Sequence, residues 1–396
     1  MYTKKTVRDI EVAGQRVLVR VDFNVPIEDG VVTDDTRIRA ALPTIRYLAD
    51  HHARVILCSH LGRPADAPDP AYSLEPVCRV LSRLLGREVN FAASQDLDGE
   101  VLEATKNMAD GEVMLLENLR FYPGEKTKDP EFARKLAALA DIYVNDAFGT
   151  AHRDHASTVG VAELLPAVSG FLLSREVEML TDMLADPEKP FVGVLGGSKV
   201  SDKIAVISKL VETCDTLLVG GGMAFTFIAA KGTNTGDSLV EPEWIDQARL
   251  MLEKAQEYNC EIMLPIDLVV AAEIAEDATT FIVGREEIPD GLMGLDIGPA
   301  TSAKFQHEIE RARTIYWNGP MGVFELEPFE SGTRELAKAV ARNNRAVSII
   351  GGGDSVAALK KFGYEDSVTF ISTGGGASMK LVEGAKLPGL EALDNK

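Results

Sequence analysis

Short runs of β-branched and aliphatic residues alternate with longer amphipathic stretches along almost the whole chain, and no other feature limits its fold as tightly. In the first part the runs are Val17 to Val21, Val55 to Cys58, Val113 to Leu116 and Ile142 to Val144, separated by helical patterns such as Arg37 to Ala49, Glu75 to Leu85 and Glu131 to Ala140. In the second part they are Phe191 to Leu195, Thr216 to Val219, Glu261 to Leu264, Thr314 to Trp317, Val347 to Ile350 and Val368 to Ile371, with Glu243 to Glu257 and Arg334 to Arg342 among the helical patterns between them. A strand, helix, strand repeat predicts an α/β fold with mainly parallel sheets covered by helices on both faces. The 396 residues suit two such domains. The boundary is expected at Ser174 to Ala185, an amphipathic helix halted by Asp186-Pro187 and Pro190 before the next strand. The first domain then covers 1–173, the interdomain helix and hinge 174–186, and the second domain begins at 187.

In open parallel sheets ligands bind beyond the carboxyl ends of the strands, so the residues just after each run carry the chemistry. After the first set come Asp22-Phe23-Asn24, Ser59-His60-Leu61-Gly62-Arg63, Glu117-Asn118-Leu119-Arg120, and Asn145-Asp146 leading to His152-Arg153-Asp154-His155. After the second set come Gly196-Gly197-Ser198-Lys199, Gly220-Gly221-Gly222, Asn318-Gly319-Pro320, Gly351-Gly352-Gly353-Asp354 and Thr373-Gly374-Gly375-Gly376. One sheet ends in arginine and histidine, the other in glycine.

The charge distribution agrees with that contrast. The chain has a formal charge of -20, which argues against nucleic-acid and anionic-membrane partners, so an anionic ligand must meet a local concentration of positive charge. The first 173 residues hold 14 Arg, 6 Lys and five of the six His; the remainder holds 8 Arg and 13 Lys. Arginine presents a planar fork of donors suited to carboxylate and phosphate, which points to a small polyanion on the first sheet. No apolar segment precedes a small-residue cleavage site near the N-terminus and no run reaches about 18 apolar residues, so neither a signal peptide nor a membrane span is expected. Cys58, Cys78, Cys214 and Cys260 show no close pairing, which suits a reducing cytoplasm.

Each residue has a plainer reading beside the functional one. A tight strand-to-helix turn requires glycine anyway, although a series of them on one sheet favours helix N-terminal amides left open to phosphate. Neither a G-x-x-x-x-G-K-[ST] nor a G-x-G-x-x-G pattern occurs at these turns, so no standard motif names the ligand. Arg37 at a helix start could be a solvated side chain; Arg63, Arg120 and Arg153 follow three separate strand ends and are expected to converge. His60 and His152 could be core histidines or ligand contacts, and Asp22 and Asn24 could shape a turn or orient the basic groups. Asp354 could hold Mg²⁺ on nucleotide phosphates or cap a helix, and Glu325 could meet ribose hydroxyls or be surface charge.

Taken in order, RVDFNVP (20–26), DDTRI (34–38), SHLGRP (59–64), ENLRF (117–121) and AHRDHAST (151–158) resemble the N-terminal domain of the phosphoglycerate kinase family. GGSKVSDK (196–203), GGGMAFTF (220–227), LDIGP (295–299), WNGPMGVFE (317–325), GGGDS (351–355) and STGGGAS (372–378) are similar to its C-terminal domain. The resemblance implies two Rossmann-like domains with a ligand cleft between them, a monomeric cytoplasmic enzyme, and reversible Mg²⁺-dependent transfer between ATP and 3-phosphoglycerate, giving ADP and 1,3-bisphosphoglycerate. It implies that Asp22, Phe23, Asn24, Arg37, His60, Leu61, Gly62, Arg63, Arg120 and Arg153 meet the glycerate, with Arg20, His152 and His155 completing the basic patch. Lys203, Gly294, Glu325, Gly352, Gly353, Asp354 and Ser355 would meet the nucleotide, with Asp354 on the metal. Arg37, Lys199, Gly374 and Gly375 would act on the transferring phosphoryl group, with Asn318 and Thr373 along its route. The resemblance also closes the second domain at 380 and returns 381–396 to the first. Asp154 looks like a tolerated difference.

Three rivals are distinguishable. A nucleotide-dependent kinase of another small phosphorylated acid would differ in the ligands on the first sheet. A two-domain protein that closes on an anion without chemistry would need neither Lys199 nor Lys203 beside glycine turns. A dehydrogenase is disfavoured because the dinucleotide fingerprint is missing.

Overall fold

The computed structural model describes residues 2–396 and divides into two compact units, one comprising the chain up to Glu178 with Lys386–Lys396, the other Met179–Ala385.

In the first unit β1 (Arg16–Arg20) leads through a two-stranded ribbon, β2 (Ile27–Glu28) and β3 (Val31–Val32), into α1 (Thr36–Asp50) and β4 (Arg54–Cys58). There follow α2 (Glu75–Leu85), β5 (Val89–Ala92), α3 (Glu100–Lys106), β6 (Val113–Leu116), α4 (Pro130–Ala138), β7 (Ile142–Asn145), β8 (Ala167–Ser169) and α5 (Phe171–Ala185). Six strands form one parallel sheet in the order β5-β6-β4-β1-β7-β8. Every residue of β6, β7 and β8 is buried, as strands covered on both faces require. From β1 the chain first builds toward β4 and later toward β7, so the strand order reverses between β1 and β7. Residues beyond the ends of those strands are where a crevice forms in such a sheet.

The second unit runs through β9 (Phe191–Leu195), α6 (Ile204–Val211), β10 (Thr216–Val219), α7 (Met223–Ala230), α8 (Ile245–Glu257) and β11 (Glu261–Met263). Next come β12 (Asp267–Ala271), β13 (Phe281–Gly284), β14 (Met293–Ile297), α9 (Pro299–Arg311) and β15 (Thr314–Asn318). The unit continues with α10 (Ser331–Arg342), β16 (Val347–Gly351), α11 (Gly353–Phe362), β17 (Phe370–Ile371) and α12 (Gly376–Val382). Its main sheet is parallel, in the order β11-β10-β9-β15-β16-β17, with the reversal between β9 and β15. Counted along the chain this is the strand order of a dinucleotide-binding sheet. A separate antiparallel sheet, β13-β12-β14, stands beside it; alternation alone did not reveal it, because these strands pair as neighbours without crossover helices.

The division between the units falls within α5, which begins at Phe171 rather than at Ser174. The returning segment begins at Lys386 rather than at 381 and carries α13 (Pro388–Glu391). The buried Lys4 ammonium donates to the carbonyl oxygens of Glu391 (2.9 Å) and Leu393 (2.7 Å), and Asn145 donates to that of Gly389 (3.1 Å), which fastens this segment beside β7.

Candidate active site

The end of β1, the first turn of α1 and the loops after β1, β4, β6 and β7 bring Arg20, Arg37, Asp22, Asn24, His60, Arg63, Arg120, His152, Arg153 and His155 to one end of the first sheet. Sequence separation is bridged by specific bonds. Arg37 Nη1 donates to the Asn24 carbonyl at 2.9 Å and stands 3.4 Å from Asp22. The Gly62 amide donates to Asn24 Oδ1 at 2.8 Å, and Arg120 Nη1 donates to the Gly62 carbonyl. Arg20 is 1% exposed and places Nη2 3.1 Å from His60 Nδ1.

These cations crowd one another. Burial, then the neighbouring Arg153 and Arg20, lower the Arg120 pKa to about 10. Burial also holds Arg153 below its ordinary value, against the opposing charge of Asp22. His60 is held well below the ordinary histidine value, first by burial and then by Arg20, Arg120, Arg153 and Arg37. His152 is lowered for the same two reasons, and its Nδ1 is buried without a hydrogen-bond partner. Five arginines against Asp22 and Glu125 leave a surplus of positive charge within a strongly acidic chain, an arrangement that a ligand with several negative charges would relieve.

Three expected contacts contribute backbone shape and no free group. Phe23 is fully buried and its amide donates to Ser59 Oγ at 2.9 Å; Leu61 is buried and its amide donates to Asn118 Oδ1 at 3.1 Å. The Gly62 amide is committed to Asn24, as above. Arg63 is exposed, and His155 Nδ1 lies 3.7 Å from Glu125 Oε1. Asp154 faces outward and pairs with Lys128 at 3.0 Å, which explains why an acid is tolerated there.

In the second unit the Lys203 ammonium sits at the start of α6 and donates to the carbonyls of Gly196 (2.6 Å) and Asn318 (2.8 Å), tying together the turns after β9 and β15. Burial lowers its pKa to about 8, while Asp354 and Asp202 act in the opposite sense. Trp317 is fully buried and its indole N–H donates to the Gly319 carbonyl at 2.8 Å, fixing the same turn. Lys199 is exposed.

The glycine turns divide into two kinds. At Gly196, Gly221 and Gly319 an added Cβ would lie 1.9 Å, 2.6 Å and 2.3 Å from backbone atoms of a neighbouring turn, so these glycines allow three turns to pack together. The amides of Gly220, Gly221 and Met223 donate to Leu195, Met321 and Gly197, which leaves little at that turn for a ligand. At Gly353 and Gly375 an added Cβ would meet nothing within 4 Å, and helices α11 and α12 open there, where the first amides of a helix have no intrahelical acceptor.

Gly352 occupies the N-cap of α11 with φ at +85°, and Asp354 lies in the first helical turn, exposed, so Asp354 is not the cap. Ser355 is buried and its Oγ accepts from the Gly319 amide at 2.6 Å, so it braces the site from behind. The Gly374 amide is likewise committed, to Ser372 Oγ at 3.2 Å, whereas Gly375 forms the N-cap of α12. Gly294 lies in β14 with its amide on Ser238 Oγ at 2.9 Å, and a Cβ there would strike the Phe225 ring at 2.1 Å. Glu325 is exposed, and its carbonyl accepts from Lys361 at 3.2 Å.

Three positioning groups escaped sequence reasoning. Asn118 binds both the amide and the carbonyl of Leu61 and also the Arg120 amide; it lies inside a quoted motif, and only its role was missed. Glu241 accepts from the Ser201 amide (2.9 Å) and hydroxyl (2.6 Å), steadying the turn that carries Lys199, and Glu125 does the same for the His155 loop. No local signal marks either glutamate, because each acts on a segment remote in sequence.

The family model described as phosphoglycerate kinase matches residues 7–385. A phosphoglycerate kinase of Rubrobacter xylanophilus is 55% identical over 393 residues, covering 99% of each chain. One of Thermosipho africanus is 53% identical over 397 aligned positions, covering 99% of this chain and 98% of its own. Among solved structures, phosphoglycerate kinase from Coxiella burnetii is similar with a TM-score of 0.90 and 43% identity, covering 98% of each chain.

Proposed function

The chain belongs to the phosphoglycerate kinase family, and from that premise we propose how its own residues divide the work of the reaction. The enzyme transfers a phosphoryl group reversibly between ATP and the carboxyl group of 3-phosphoglycerate, giving ADP and 1,3-bisphosphoglycerate. The acid is bound by the first unit, through Arg20, Asn24, Arg37, His60, Arg63, Arg120, His152, Arg153 and His155, with Asp22 orienting Arg37. The nucleotide is bound by the second unit, through Lys203, the open amides at Gly353 and Asp354, the surface around Gly294, and Glu325. The observation that carries this division is the contrast between the two sheets: crowded arginines on one, and open helix N-termini beside a half-buried lysine on the other.

Transfer between a carboxylate oxygen and the ADP β-phosphate requires no covalent enzyme intermediate, so the residues contribute positioning and charge neutralisation. Arg37, Lys199 and the Gly375 end of α12 are the groups assigned to the moving phosphoryl group; Gly374 supports that turn, its own amide being engaged. Among the described residues no cluster of three or more His, Cys, Asp or Glu side chains could hold a metal alone. The single exposed carboxylate of Asp354 fits Mg²⁺, a hard ion that takes one such ligand and completes its shell from nucleotide phosphates and water. When bound there it would offset charge on the phosphates.

With one ligand assigned to each unit, in-line transfer requires the ligands to be brought together and water excluded from the acyl phosphate, and α5 is the candidate hinge. Small-angle scattering should register compaction only with both ligands present; an unchanged profile would contradict closure. The reading also takes the enzyme as a cytoplasmic monomer, in keeping with four free, buried cysteines. A coupled assay with 3-phosphoglycerate and Mg-ATP tests the function directly: turnover with this acid, and none with other phosphorylated acids at equal concentration, is expected. Faster turnover with another acid would transfer the assignment to the rival kinase.

A further inference from the structure

Glu125 is 1% exposed inside the first unit, with both carboxylate oxygens engaged. Oε1 accepts from Ser157 Oγ at 2.6 Å, Oε2 accepts from the Ser157 amide at 3.0 Å, and the Glu125 carbonyl accepts from the Ala156 amide at 2.9 Å. His155 Nδ1 stands 3.7 Å from Oε1. The Ser157 hydroxyl spends its only proton on Glu125, so its lone pairs face the other way, and one accepts from Arg20 Nε at 2.9 Å. Arg20 then reaches His60 Nδ1 with Nη2 and the Val21 carbonyl with Nη1. A chain of bonds thus runs from Glu125 through Ser157 and Arg20 to His60.

An isolated carboxylate at this depth would take up a proton. Burial pushes Glu125 in that direction, but the neighbouring His155, the charge of Arg20 and the hydrogen bonds from Ser157 outweigh it and hold the carboxyl below its ordinary value. It is therefore ionised at neutral pH and serves as the fixed counter-ion of a buried arginine. No carboxylate lies within salt-bridge distance of Arg20 among the described residues, so Glu125 acts on it through the Ser157 hydroxyl.

We infer that Glu125 is a positioning residue for the acid substrate: through Ser157 it sets the orientation of Arg20, and with it His60 and the His155 loop, without touching the ligand. This rests on the reading of the first unit as the 3-phosphoglycerate site. Two physical effects of removing the charge oppose each other, which makes the inference testable. Loss of a negative charge beside an anion site should by Coulomb attraction alone tighten anion binding. Glutamine instead keeps one acceptor oxygen and turns an N–H donor toward either the Ser157 amide or its hydroxyl, which breaks one of the two bonds, loosens the hold on Ser157 and Arg20 and weakens binding. The charge is already offset by the nearby Arg20, so the geometric effect is expected to dominate.

The test is calorimetric titration of 3-phosphoglycerate and, separately, ADP into the full chain carrying Glu125→Gln, Ser157→Ala or Arg120→Ala. The expected result is a tenfold or greater rise in the Kd of 3-phosphoglycerate for Glu125→Gln and a smaller rise for Ser157→Ala, with the Kd of ADP unchanged in both. Unchanged or tighter 3-phosphoglycerate binding in Glu125→Gln, with binding lost in Arg120→Ala, would overturn the inference and leave the site intact. Equal weakening of both ligands would also overturn it, since that is the signature of general destabilisation. Should Glu125→Gln fail to fold, wild-type 3-phosphoglycerate affinity in Ser157→Ala would overturn it. Unchanged binding in Arg120→Ala would instead refute the reading of the site on which the inference rests.

Discussion

Arg20 Nη2 lies 3.1 Å from His60 Nδ1, and because a guanidinium can only donate, the contact assigns the ring proton of His60 to Nε2. At the proposed acid site His60 would therefore offer a neutral N–H donor. Burial and then the charges of Arg20, Arg120, Arg153 and Arg37 oppose a second proton. The prediction is an imidazole resonance that does not titrate between about pH 8 and 5, the range in which an ordinary histidine would. The unfolded chain does take up that proton near pH about 6.5, so the group's contribution to stability is intact above this value and lost as pH falls below it. An ordinary titration of His60 by NMR would contradict the assignment.

Lys203 supplies a pH dependence on the nucleotide side. Its ammonium, with a pKa lowered to about 8 mainly by burial, must be charged to oppose phosphate. ADP affinity should fall as pH rises through about 8, and Lys203→Met should be weaker at every pH and flat across this range. Titrations at several pH values check both. A wild-type affinity that does not change from pH 7 to 9 would remove the ammonium from the nucleotide site.

Asp146 links β7 to α5. Its Oδ1 accepts from the Leu172 (2.9 Å) and Leu173 (3.2 Å) amides at the start of that helix, and burial raises its carboxyl to about 7. The folded state thus keeps a proton that the unfolded chain releases near pH about 3.9. The associated stability is full below that pH and is lost as pH rises through about 7. Asp146→Asn should flatten the decline in urea midpoint between about pH 5 and 8; a decline equal to wild type would show that another group is responsible.

Arg37 bonds to Asn24 and Asp22 but retains donors that face no protein acceptor among the described residues. Arg37→Ala should lower kcat on the order of 10²-fold or more, as expected for the loss of a charge that stabilises the transferring group, while ADP binding stays near wild type. Near wild-type turnover in this variant would remove Arg37 from the catalytic group.

Much of this was legible from residues that carry their own signal. Strand runs such as Val113 to Leu116 and Phe191 to Leu195 coincide with β6 and β9, because fully buried parallel strands read as unbroken apolar runs. The antiparallel strands β12 and β13 were not found, since Phe281 and Ile282 are exposed and β13 is a short edge strand. Arg120 could be nominated by type and position, whereas Lys203 was nominated by the resemblance of GGSKVSDK. Whether a glycine serves packing, as Gly221 does, or openness, as Gly375 does, depends on which turn lies opposite, and Glu125 and Glu241 act across the fold on residues far away in sequence.

The central claim is that the arginine-lined sheet holds the acid and the glycine-lined sheet the nucleotide. The most direct measurement is titration of 3-phosphoglycerate and ADP into Arg120→Ala and Lys203→Met. The account predicts a crossed pattern: Arg120→Ala loses 3-phosphoglycerate affinity and keeps that for ADP, and Lys203→Met does the reverse. Loss of ADP binding in Arg120→Ala with retention of 3-phosphoglycerate, or the opposite exchange in Lys203→Met, would contradict it.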